Sequence, residues 1–540
     1  MTDRPTLDAL VTVTPRFARS VSLTRDAARP DALAGYVLTP NGRAVFARLA
    51  AALRGESSTR AWSVTGPYGS GKSALALLIA QALAGDDKPL RAARAFLADA
   101  DEQVAPALFG PGSVLAAPPG RLFPVLVTGS RRPLDKALAA ALAAALRGIA
   151  SRGRRPQLID KLERLAAQPE PAGAAVVPLF EEAVEYAARP GGESAGLLLV
   201  VDELGKFLEY GAAHPEQGDV FVLQELAEAA ARSAKPFLVV TILHQALDRY
   251  ADHLSPGRRA EWAKVQGRFE DVAFEERAEQ VLRLIGHAIR PADVKPLRRQ
   301  AIALAKEAVA AGVRAGSMPA DELRECLAAA YPLHPLTAAV LGPLFRQLAQ
   351  NERSLFAFLA SAEPHGFQEY LRDHTAADGP YRLDRLYDYV TAALGPALLA
   401  LYRGKRWAEV QTALDRLRDA GPAEIRLVKT IGVLQALGPA TGIPVSADIL
   451  RLAGRGEHTD AQTDAALEYL VRRSVVVYRR HAGGYALWEG SDVDLDERLR
   501  DARQAVEQDQ RLAPFLTRLA PPPALIARRH YFQTGTLSRA

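Results

Sequence analysis

Short apolar runs alternate with helix-like segments over the first half of the chain. The runs "AWSVTG", "GRLFPVLVTGSR", "GLLLVVD" and "KPFLVVTILHQ" are bounded by polar or turn residues and have the length of buried strands. Segments with apolar residues at helical spacing, such as "SALALLIAQAL", follow them. Strands that alternate with helices predict an α/β fold with a parallel sheet.

The second half of the chain is helical and rich in alanine from about residue 285. Three short helical runs, "AEIRLVKTIGVLQAL", "VSADILRLAG" and "DAALEYLVRRS", precede "VVVYRRHAGGYALWEG", which has the pattern of two alternating strands around a turn. Three helices and a hairpin predict a winged helix. The patterns divide the chain into an N-terminal segment (1–60), a core with the sheet (61–285), a helical lid (286–375), a helical connector (376–420), the winged helix (421–492) and a C-terminal segment (493–540).

The composition is that of a globular protein. The chain has 540 residues, 49% of them hydrophobic, which is enough to build several cores. Cys326 is the single cysteine, which excludes an intramolecular disulfide and a cysteine-based zinc site. No signal peptide and no bilayer-spanning run is present, so we expect a soluble, cytoplasmic protein without a membrane partner. A net charge of +5 is weak evidence for nucleic acid, which requires a local basic face.

The loop "TGPYGSGKS" carries the most specific motif in the chain. It fits the pattern G-x-x-x-x-G-K-[ST] without a mismatch and lies between a predicted strand and a predicted helix. In such a Walker A loop the backbone N–H groups face phosphate oxygens, the lysine reaches the β and γ phosphates, and the serine offers a hydroxyl to Mg²⁺. We predict that ATP binds here with Mg²⁺, and that the nucleotide is held by Gly66, Pro67, Tyr68, Gly69, Ser70, Gly71, Lys72, Ser73 and Ala74.

Two acidic residues, Asp202 and Glu203, follow the run "GLLLVV" where a parallel strand would end. Open α/β sheets bind their ligands at the carboxyl ends of their strands. In this Walker B arrangement Asp202 is predicted to hold Mg²⁺ through water or Ser73, and Glu203 to orient and polarise the attacking water. A pair of helix-capping carboxylates is the alternative. A small-molecule kinase would not need Glu203, so a motor and a nucleotide-gated switch are left open.

The arrangement of these motifs resembles the ATPases of the AAA+ superfamily. In that family a polar residue at the end of the strand that "KPFLVVTILHQ" predicts senses the γ-phosphate. The resemblance implies this sensor 1 role for His244 first and for Thr241 second. A capped structural histidine is the alternative for His244.

The run "GRFE" strengthens the resemblance, because many AAA+ proteins carry such a run just before the fifth strand. Its arginine reaches the nucleotide of a neighbouring subunit in those proteins, which implies an arginine-finger role for Arg268. A finger that acts between subunits requires a homo-oligomer. The alternative is a surface ion pair of Arg268 with Glu270 or Asp271.

The resemblance also implies nucleotide contacts from the regions on both sides of the core. A helical lid of this kind usually donates a sensor 2 arginine, for which Arg346 and Arg353 are available and Arg353 is preferred. Solvated helix arginines are common, which is the alternative for both. In origin-recognition-like and STAND-like ATPases the segment before the core packs on adenine, which implies residues 36–40 of "GYVLTPNGRAVFARLAAAL".

Basic residues of the predicted winged helix would lie on its third helix and hairpin. Such folds turn this face toward DNA phosphates. Asp460, Asp464 and Glu468 lie close by and dilute the positive charge. Winged helices also dock proteins, so both DNA and effector proteins are left open as partners. The basic residues are Arg472, Arg473, Arg479, Arg480 and His481.

The complete plan resembles origin-recognition-like and STAND-like AAA+ ATPases. The segments "VDELGKFLEY", "VQGRFEDVAF", "YPLHP" and "NERSLFAFL" also look similar to large ATPases of bacterial anti-phage defence systems such as BREX. Those relatives tend to be longer, so a truncated chain and one part of a larger machine are both open. We expect a Mg²⁺-dependent ATPase of AAA+ type that remodels or senses nucleic acid or a protein partner in defence. The alternative is a slow ATP/ADP-gated switch that assembles partner proteins.

Overall fold

The computed structural model of the chain describes residues 5–14, 21–150, 157–168, 173–216, 220–252, 254–292, 294–348, 355–395, 398, 404–480, 483–488, 499–500, 502–503, 512–521 and 528–536. Met1–Leu487 form one compact unit and Trp488–Ala540 form a second. Within these residues, no helix combines the length and the apolar character needed to cross a membrane.

Nine strands lie within the described residues: β1 (Val11–Val13), β2 (Ala61–Thr65), β3 (Phe123–Thr128), β4 (Leu197–Asp202), β5 (Phe237–Leu243), β6 (Glu270–Ala273), β7 (Ile289–Pro291), β8 (Val476–Arg479) and β9 (Gly484–Leu487). Five of them form a parallel sheet in the order β3-β4-β5-β2-β6. The predicted α/β architecture with a parallel sheet is confirmed. Because β5 lies between β2 and β4, the end of β5 is placed between the ends of the other two.

The central strands explain why their sequences are apolar without alternation. β4 and β5 are buried along their whole length. Leu197, Leu199 and Val201 of β4 pack in one core, whereas Leu198 and Val200 pack in the other. Successive side chains of a strand point to opposite faces, so a sheet covered on both faces requires apolar residues at every position.

Helices cover both faces of the sheet, and the helices after β6 form a core of their own. The helices up to the last strand of the parallel sheet are α1 (Leu7–Leu10), α2 (Leu23–Asp26), α3 (Pro40–Leu53), α4 (Lys72–Ala84), α5 (Asp87–Ala100), α6 (Val104–Phe109), α7 (Leu134–Ala150), α8 (Gln157–Ala167), α9 (Val177–Ala187), α10 (Gly205–Ala213), α11 (Phe221–Arg232) and α12 (Pro256–Gln266). The helices between β6 and β8 are α13 (Ala278–Ala288), α14 (Lys295–Ala311), α15 (Ala320–Ala329), α16 (Pro335–Leu348), α17 (Leu355–Ala360), α18 (Phe367–Asp373), α19 (Leu383–Leu394), α20 (Gly404–Asp415), α21 (Pro422–Leu437), α22 (Ala447–Gly454) and α23 (Asp460–Arg472). The second unit contains α24 (Leu512–Leu519) and α25 (Arg528–Thr534).

Three hydrophobic cores hold the first unit together. Helices α3 and α4 cover one face of the parallel sheet, and α7, α9 and α11 cover the other. The third core contains buried residues from every helix between α13 and α23 and from the hairpin β8–β9. The regions predicted as lid, connector and winged helix therefore share one apolar interior, and the boundaries between them stay predictions.

The beginning of the chain packs on the helical region. β1 pairs with β7 in antiparallel fashion, with Val11 opposite Pro291 and Val13 opposite Ile289. Leu7 and Val11 are buried in the third core. Of the segment 1–60, in which residues 36–40 are implied to contact adenine, this first part lies with the helices after the sheet, and no periodic pattern in the sequence marks its pairing.

The last elements of the first unit are three helices and a hairpin at the positions where a winged helix was predicted. α21, α22 and α23 precede β8 and β9, which pair in antiparallel fashion with Val476 opposite Leu487. The hairpin packs through Val476 and Leu487 on the third core. The winged-helix interpretation of these elements stays a prediction.

Candidate functional site

The loop between β2 and α4 has the backbone that a phosphate-binding loop requires. Gly69 and Gly71 have φ angles of 73° and 92°, in the left-handed region that favours glycine. Gly66 is needed for a different reason, since a Cβ atom there would lie 2.1 Å from the carbonyl oxygen of Phe274. α4 begins at Lys72, so the N–H groups of its first turn, which have no partner within the helix, border the loop.

The ammonium group of Lys72 lies inside this loop. It donates to the carbonyl oxygens of Gly66 and Pro67, each at 2.6 Å, and lies 3.3 Å from the hydroxyl of Ser70. Burial lowers the pKa of Lys72 to about 8, and the negative charge of Asp202 opposes this shift. Neutral carbonyls compensate a buried charge only in part, so an anionic phosphate would be a favourable partner for Lys72.

Ser73 and Asp202 meet at the carboxyl end of the sheet. The Ser73 hydroxyl donates to Oδ1 of Asp202 over 3.2 Å, and the backbone N–H of Glu203 donates to the same oxygen over 3.0 Å. The Asp202 side chain is almost completely buried at the end of β4. Burial raises the pKa of Asp202, and the hydrogen bond from Ser73 opposes this shift.

The hydroxyl of Ser73 and the carboxylate of Asp202 fit Mg²⁺. Both are hard oxygen ligands, and the Asp202 carboxylate is buried at the end of β4, where it faces the phosphate-binding loop through its hydrogen bond with Ser73. Over the described ranges, no group of three or more His, Cys, Asp or Glu side chains could hold a metal ion. A Mg²⁺ ion bound at this position would have Ser73, Asp202 and the phosphates of a nucleotide as its ligands, an arrangement typical of this cation.

Glu203 has an unusual backbone. Its φ of 53° lies in the left-handed region, which few residues other than glycine adopt. Gly129 makes room for it, because a Cβ atom at position 129 would lie 2.0 Å from the carbonyl oxygen of Glu203. The Glu203 carboxylate accepts a hydrogen bond from Lys206 over 2.5 Å, and both side chains are partly exposed.

These groups line one cavity of about 400 Å³, a volume within the range of ligand pockets. Of the segment 36–40, implied by resemblance to contact adenine, Tyr36, Val37 and Thr39 line the cavity. Leu284 of α13 and Phe356 of α17 also line it, and neither was predicted to lie at the nucleotide site. The charged and polar side chains of the lining include Lys72, Ser73, Asp202, Glu203 and Lys206, and the apolar ones include Val21, Tyr36, Val37, Phe274, Leu284 and Phe356.

His244 follows β5 directly and lines the same cavity. Its imidazole stacks on the ring of Tyr68 in the Walker A loop, with 4.5 Å between ring centroids and 23° between planes. Thr241 lies inside the sheet, where its hydroxyl donates to the carbonyl oxygen of Trp62 over 3.2 Å. Of the two residues implied for sensor 1, the structure places His244 at the cavity.

Arg268 lies outside this cavity, in the turn between α12 and β6. Its Nε is 3.1 Å from Oε1 of Glu228, and 54% of the side chain is exposed. The two acids considered as ion-pair partners of Arg268 have other contacts. Glu270 pairs with Arg48 at 2.6 Å, and Asp271 accepts a hydrogen bond from Thr65.

The two lid arginines differ in what the structure describes. Arg353 lies outside the described residues. Arg346 donates to the carbonyl oxygen of Glu276 and pairs with the Glu275 carboxylate, both at 2.7 Å. It also lines a cavity of about 70 Å³ together with residues 67–70 of the Walker A loop.

The hairpin region presents basic side chains to solvent. Arg472, Arg473 and Arg480 are exposed, and His481 lies outside the described residues. Two of the three acids expected to dilute this charge pair with other arginines: Asp464 with Arg451 at 2.8 Å, and Asp460 with Arg455 at 3.0 Å.

Comparisons with known proteins give little further guidance. No protein-family model matches the chain, and no curated protein matches it. Among solved structures, the chain is similar to the Aeropyrum pernix ORC2 protein in its ADPNP-ADP complexes, with 11% identity and a TM-score of 0.32. The match covers 92% of this chain and 100% of that chain. A likeness at this identity and TM-score carries no argument about function.

Proposed function

We propose that the protein is a Mg²⁺-dependent ATPase of AAA+ type that couples ATP binding and hydrolysis to the remodelling or sensing of a macromolecular partner. The observation that carries this proposal is the meeting of Ser73 and Asp202 at 3.2 Å beside the Lys72 ammonium. Two separately predicted motifs, Walker A with Lys72 and Ser73 and Walker B with Asp202 and Glu203, thus converge on one cavity. The convergence combines a phosphate grip, a cation ligand pair and a carboxylate for water.

The residues of the cavity have separate roles in this proposal. Lys72 and the loop amides bind the β and γ phosphates, and Ser73 with Asp202 holds Mg²⁺, which supplies charge neutralisation to the phosphates when bound. Glu203 accepts a hydrogen bond from the attacking water and orients it. Tyr36, Val37 and Phe356 offer apolar surface to the adenine base. His244 at the end of β5 contacts the terminal phosphate.

A second function, a slow ATP/ADP-gated switch, is favoured by one contact. The Glu203 carboxylate is paired with Lys206 at 2.5 Å, so the group that would orient water is engaged by a cation. A switch would hold nucleotide in this arrangement, turn over slowly and assemble effector proteins. The pair is partly exposed and contributes about 1 kcal/mol or less, so ATP binding could also break it.

The partners belong to the same proposal. The exposed arginines after α23 support a contact to DNA phosphates, and the exposed guanidinium of Arg268 supports a homo-oligomer in which one subunit completes the site of the next. The role in anti-phage defence is supported only by the four sequence segments that resemble defence ATPases. The cytoplasm is the compartment proposed.

The test is steady-state ATP hydrolysis by the purified chain with and without double-stranded DNA. Lys72→Ala removes the phosphate grip, and Glu203→Gln removes the group that orients water. The ATPase is supported if DNA raises the turnover and if each of the two substitutions abolishes it. Tight nucleotide binding with almost no turnover supports the switch, and a wild-type chain that binds no nucleotide refutes both.

A further inference from the structure

Two tyrosines hold the imidazole of His244 from different sides. Tyr68 stacks on one face, with ring centroids 4.5 Å apart. Tyr250 approaches with its edge, since its ring plane is at 81° to the imidazole and the centroids are 5.3 Å apart. Aromatic pairs favour both geometries, so the two contacts together restrain the ring.

The hydroxyl of Tyr250 lies against the imidazole ring itself. Its oxygen is 2.9 Å from Nδ1 and 3.0 Å from Nε2 of His244. Near-equal distances to both nitrogens, with perpendicular ring planes, place the hydroxyl over the face of the ring rather than in line with either nitrogen lone pair. In this position the hydroxyl limits the tilt of the imidazole and leaves its in-plane contacts unchanged.

A glycine makes this approach feasible. A Cβ atom at Gly205 would lie 2.3 Å from the Tyr250 hydroxyl oxygen and 2.9 Å from Cε1 of His244. Gly205 begins α10, two residues after Glu203. Tyr250 comes from a short 3-10 helix, Leu247–Ala251, that follows His244 in the chain. The cluster therefore joins the Walker A loop, the end of β5 and the helix that follows Asp202 and Glu203.

We infer that Tyr250 is a positioning residue that sets the orientation in which His244 contacts the terminal phosphate of a bound nucleoside triphosphate. Tyr250 is not among the described residues that line the cavity, so it acts through His244. A nucleoside diphosphate lacks that phosphate, so Tyr250 contributes to the discrimination of ATP from ADP. The inference rests on the proposed function, because that function gives His244 its phosphate contact.

The experiment measures the dissociation constants of ADP and of a non-hydrolysable ATP analogue for the full chain with Mg²⁺. Tyr250→Phe removes only the hydroxyl, and it is compared with His244→Ala and with the double variant. Tyr186→Phe is the matched control, since that tyrosine lies on α9 against Arg189 and away from the cavity. The melting temperature of each variant is measured as well, since a general loosening of the fold lowers the affinity for both nucleotides together.

We expect Tyr250→Phe to lower the preference for the ATP analogue over ADP by about two- to fivefold, the range for one weak hydrogen bond to a ring face. The affinity for ADP stays within about twofold of the wild-type value. In the His244→Ala background, Tyr250→Phe should cause no further loss of preference, because the two residues act together. An equal loss of affinity for both nucleotides, or a loss that adds to that of His244→Ala, overturns the inference. A wild-type chain that binds neither nucleotide instead refutes the proposed function.

Discussion

The hydroxyl of Ser73 and the carboxylate of Asp202 lie 3.2 Å apart, although 129 positions separate them in the chain. Ser73 lies in the helix that follows β2, and Asp202 is the last residue of β4. In the sheet, β5 lies between these two strands. The loop after β2 must therefore reach across the end of β5 to bring Ser73 to Asp202. This crossing places the oxygen pair beside the phosphate grip and above the end of β5, where His244 lies.

Asp202→Asn should remove the dependence of ATP affinity on Mg²⁺. The amide keeps the volume and the hydrogen bond but loses the charge that binds the cation, so we expect about a tenfold loss of affinity with Mg²⁺ and almost none without it. Equilibrium titrations with Mg²⁺ and with EDTA measure the difference. Asp99→Asn, on the exposed side of α5, is the matched control. An Asp202→Asn variant with the wild-type response to Mg²⁺ would contradict the assignment.

Gly129→Ala should disturb Glu203 without touching any residue of the Walker A loop. The added methyl group would lie 2.0 Å from the Glu203 carbonyl oxygen, so the backbone at Glu203 must shift. We expect the turnover number to fall by about tenfold or more, since small misplacements of catalytic groups are costly. ATP affinity should stay within about twofold.

The control for this substitution is Gly148→Ala on α7, where an added Cβ atom meets nothing within 4 Å. Turnover is compared with the melting temperature, because overpacking also costs stability. Normal turnover in Gly129→Ala would show that the position of Glu203 does not matter for hydrolysis.

Binding of ATP with Mg²⁺ should take up protons at pH 8. The pKa of Lys72 is lowered to about 8, so its ammonium is about half protonated at that pH in the free protein. Phosphate charge favours the ammonium form and raises this pKa, so each site takes up about 0.5 proton at pH 8 and almost none at pH 6.5. Affinity should fall as the pH rises above 8, because the positive charge is then lost before binding.

Isothermal titration calorimetry in buffers of different ionisation enthalpy measures this uptake. The comparison of pH 8 with pH 6.5 is an internal control, since the same protein and nucleotide are used at both. No proton uptake at pH 8 would mean that the phosphates do not contact Lys72.

Arg268→Ala should abolish ATP hydrolysis and leave nucleotide binding and stability almost unchanged. Its ion pair with Glu228 is half exposed and contributes less than about 1 kcal/mol. If the guanidinium acts in a neighbouring site, mixing Arg268→Ala with Lys72→Ala should restore part of the activity, because a mixed oligomer contains intact sites. Glu228→Gln breaks the same ion pair without removing the guanidinium and should remain active. Full activity of Arg268→Ala would show that the residue serves only the ion pair.

Arg472→Glu with Arg473→Glu should weaken binding to double-stranded DNA and reduce its salt dependence. Each phosphate contact contributes about one unit to the slope of log affinity against log salt, so the slope should become shallower by about two. Fluorescence anisotropy at several salt concentrations gives the slope. The pair Arg298→Glu with Arg299→Glu on α14 is the control, since these residues are also adjacent and exposed. Equal effects of both pairs would indicate non-specific attraction.

The fold of the core and the central residues of the site could be predicted because their signals are local. A loop of fixed spacing identified Lys72 and Ser73, and a continuous apolar run followed by acids identified Asp202 and Glu203. Such runs arise from burial on both faces of a sheet, a property of each segment by itself.

The remaining contacts depend on residues that are distant in the chain. No periodicity in the sequence predicts the ion pair of Arg268 with Glu228 or the contact of the Tyr250 ring edge with His244. The same holds for Phe356 of α17, which lines the cavity although it is far from the Walker A loop in the chain. Spacing rules describe one element at a time and therefore cannot give such contacts.

The shared core of the helical region has a mechanical consequence. Apolar packing is continuous from α13 to the hairpin β8–β9, and the chain joins this region to the sheet both at 275–277 after β6 and between β1 and α2. This continuous core therefore connects the helices that carry Leu284 and Phe356, at the wall of the cavity, to the exposed arginines near the hairpin. A rotation of this region relative to the sheet, in response to the presence or absence of a terminal phosphate, would therefore also move the hairpin.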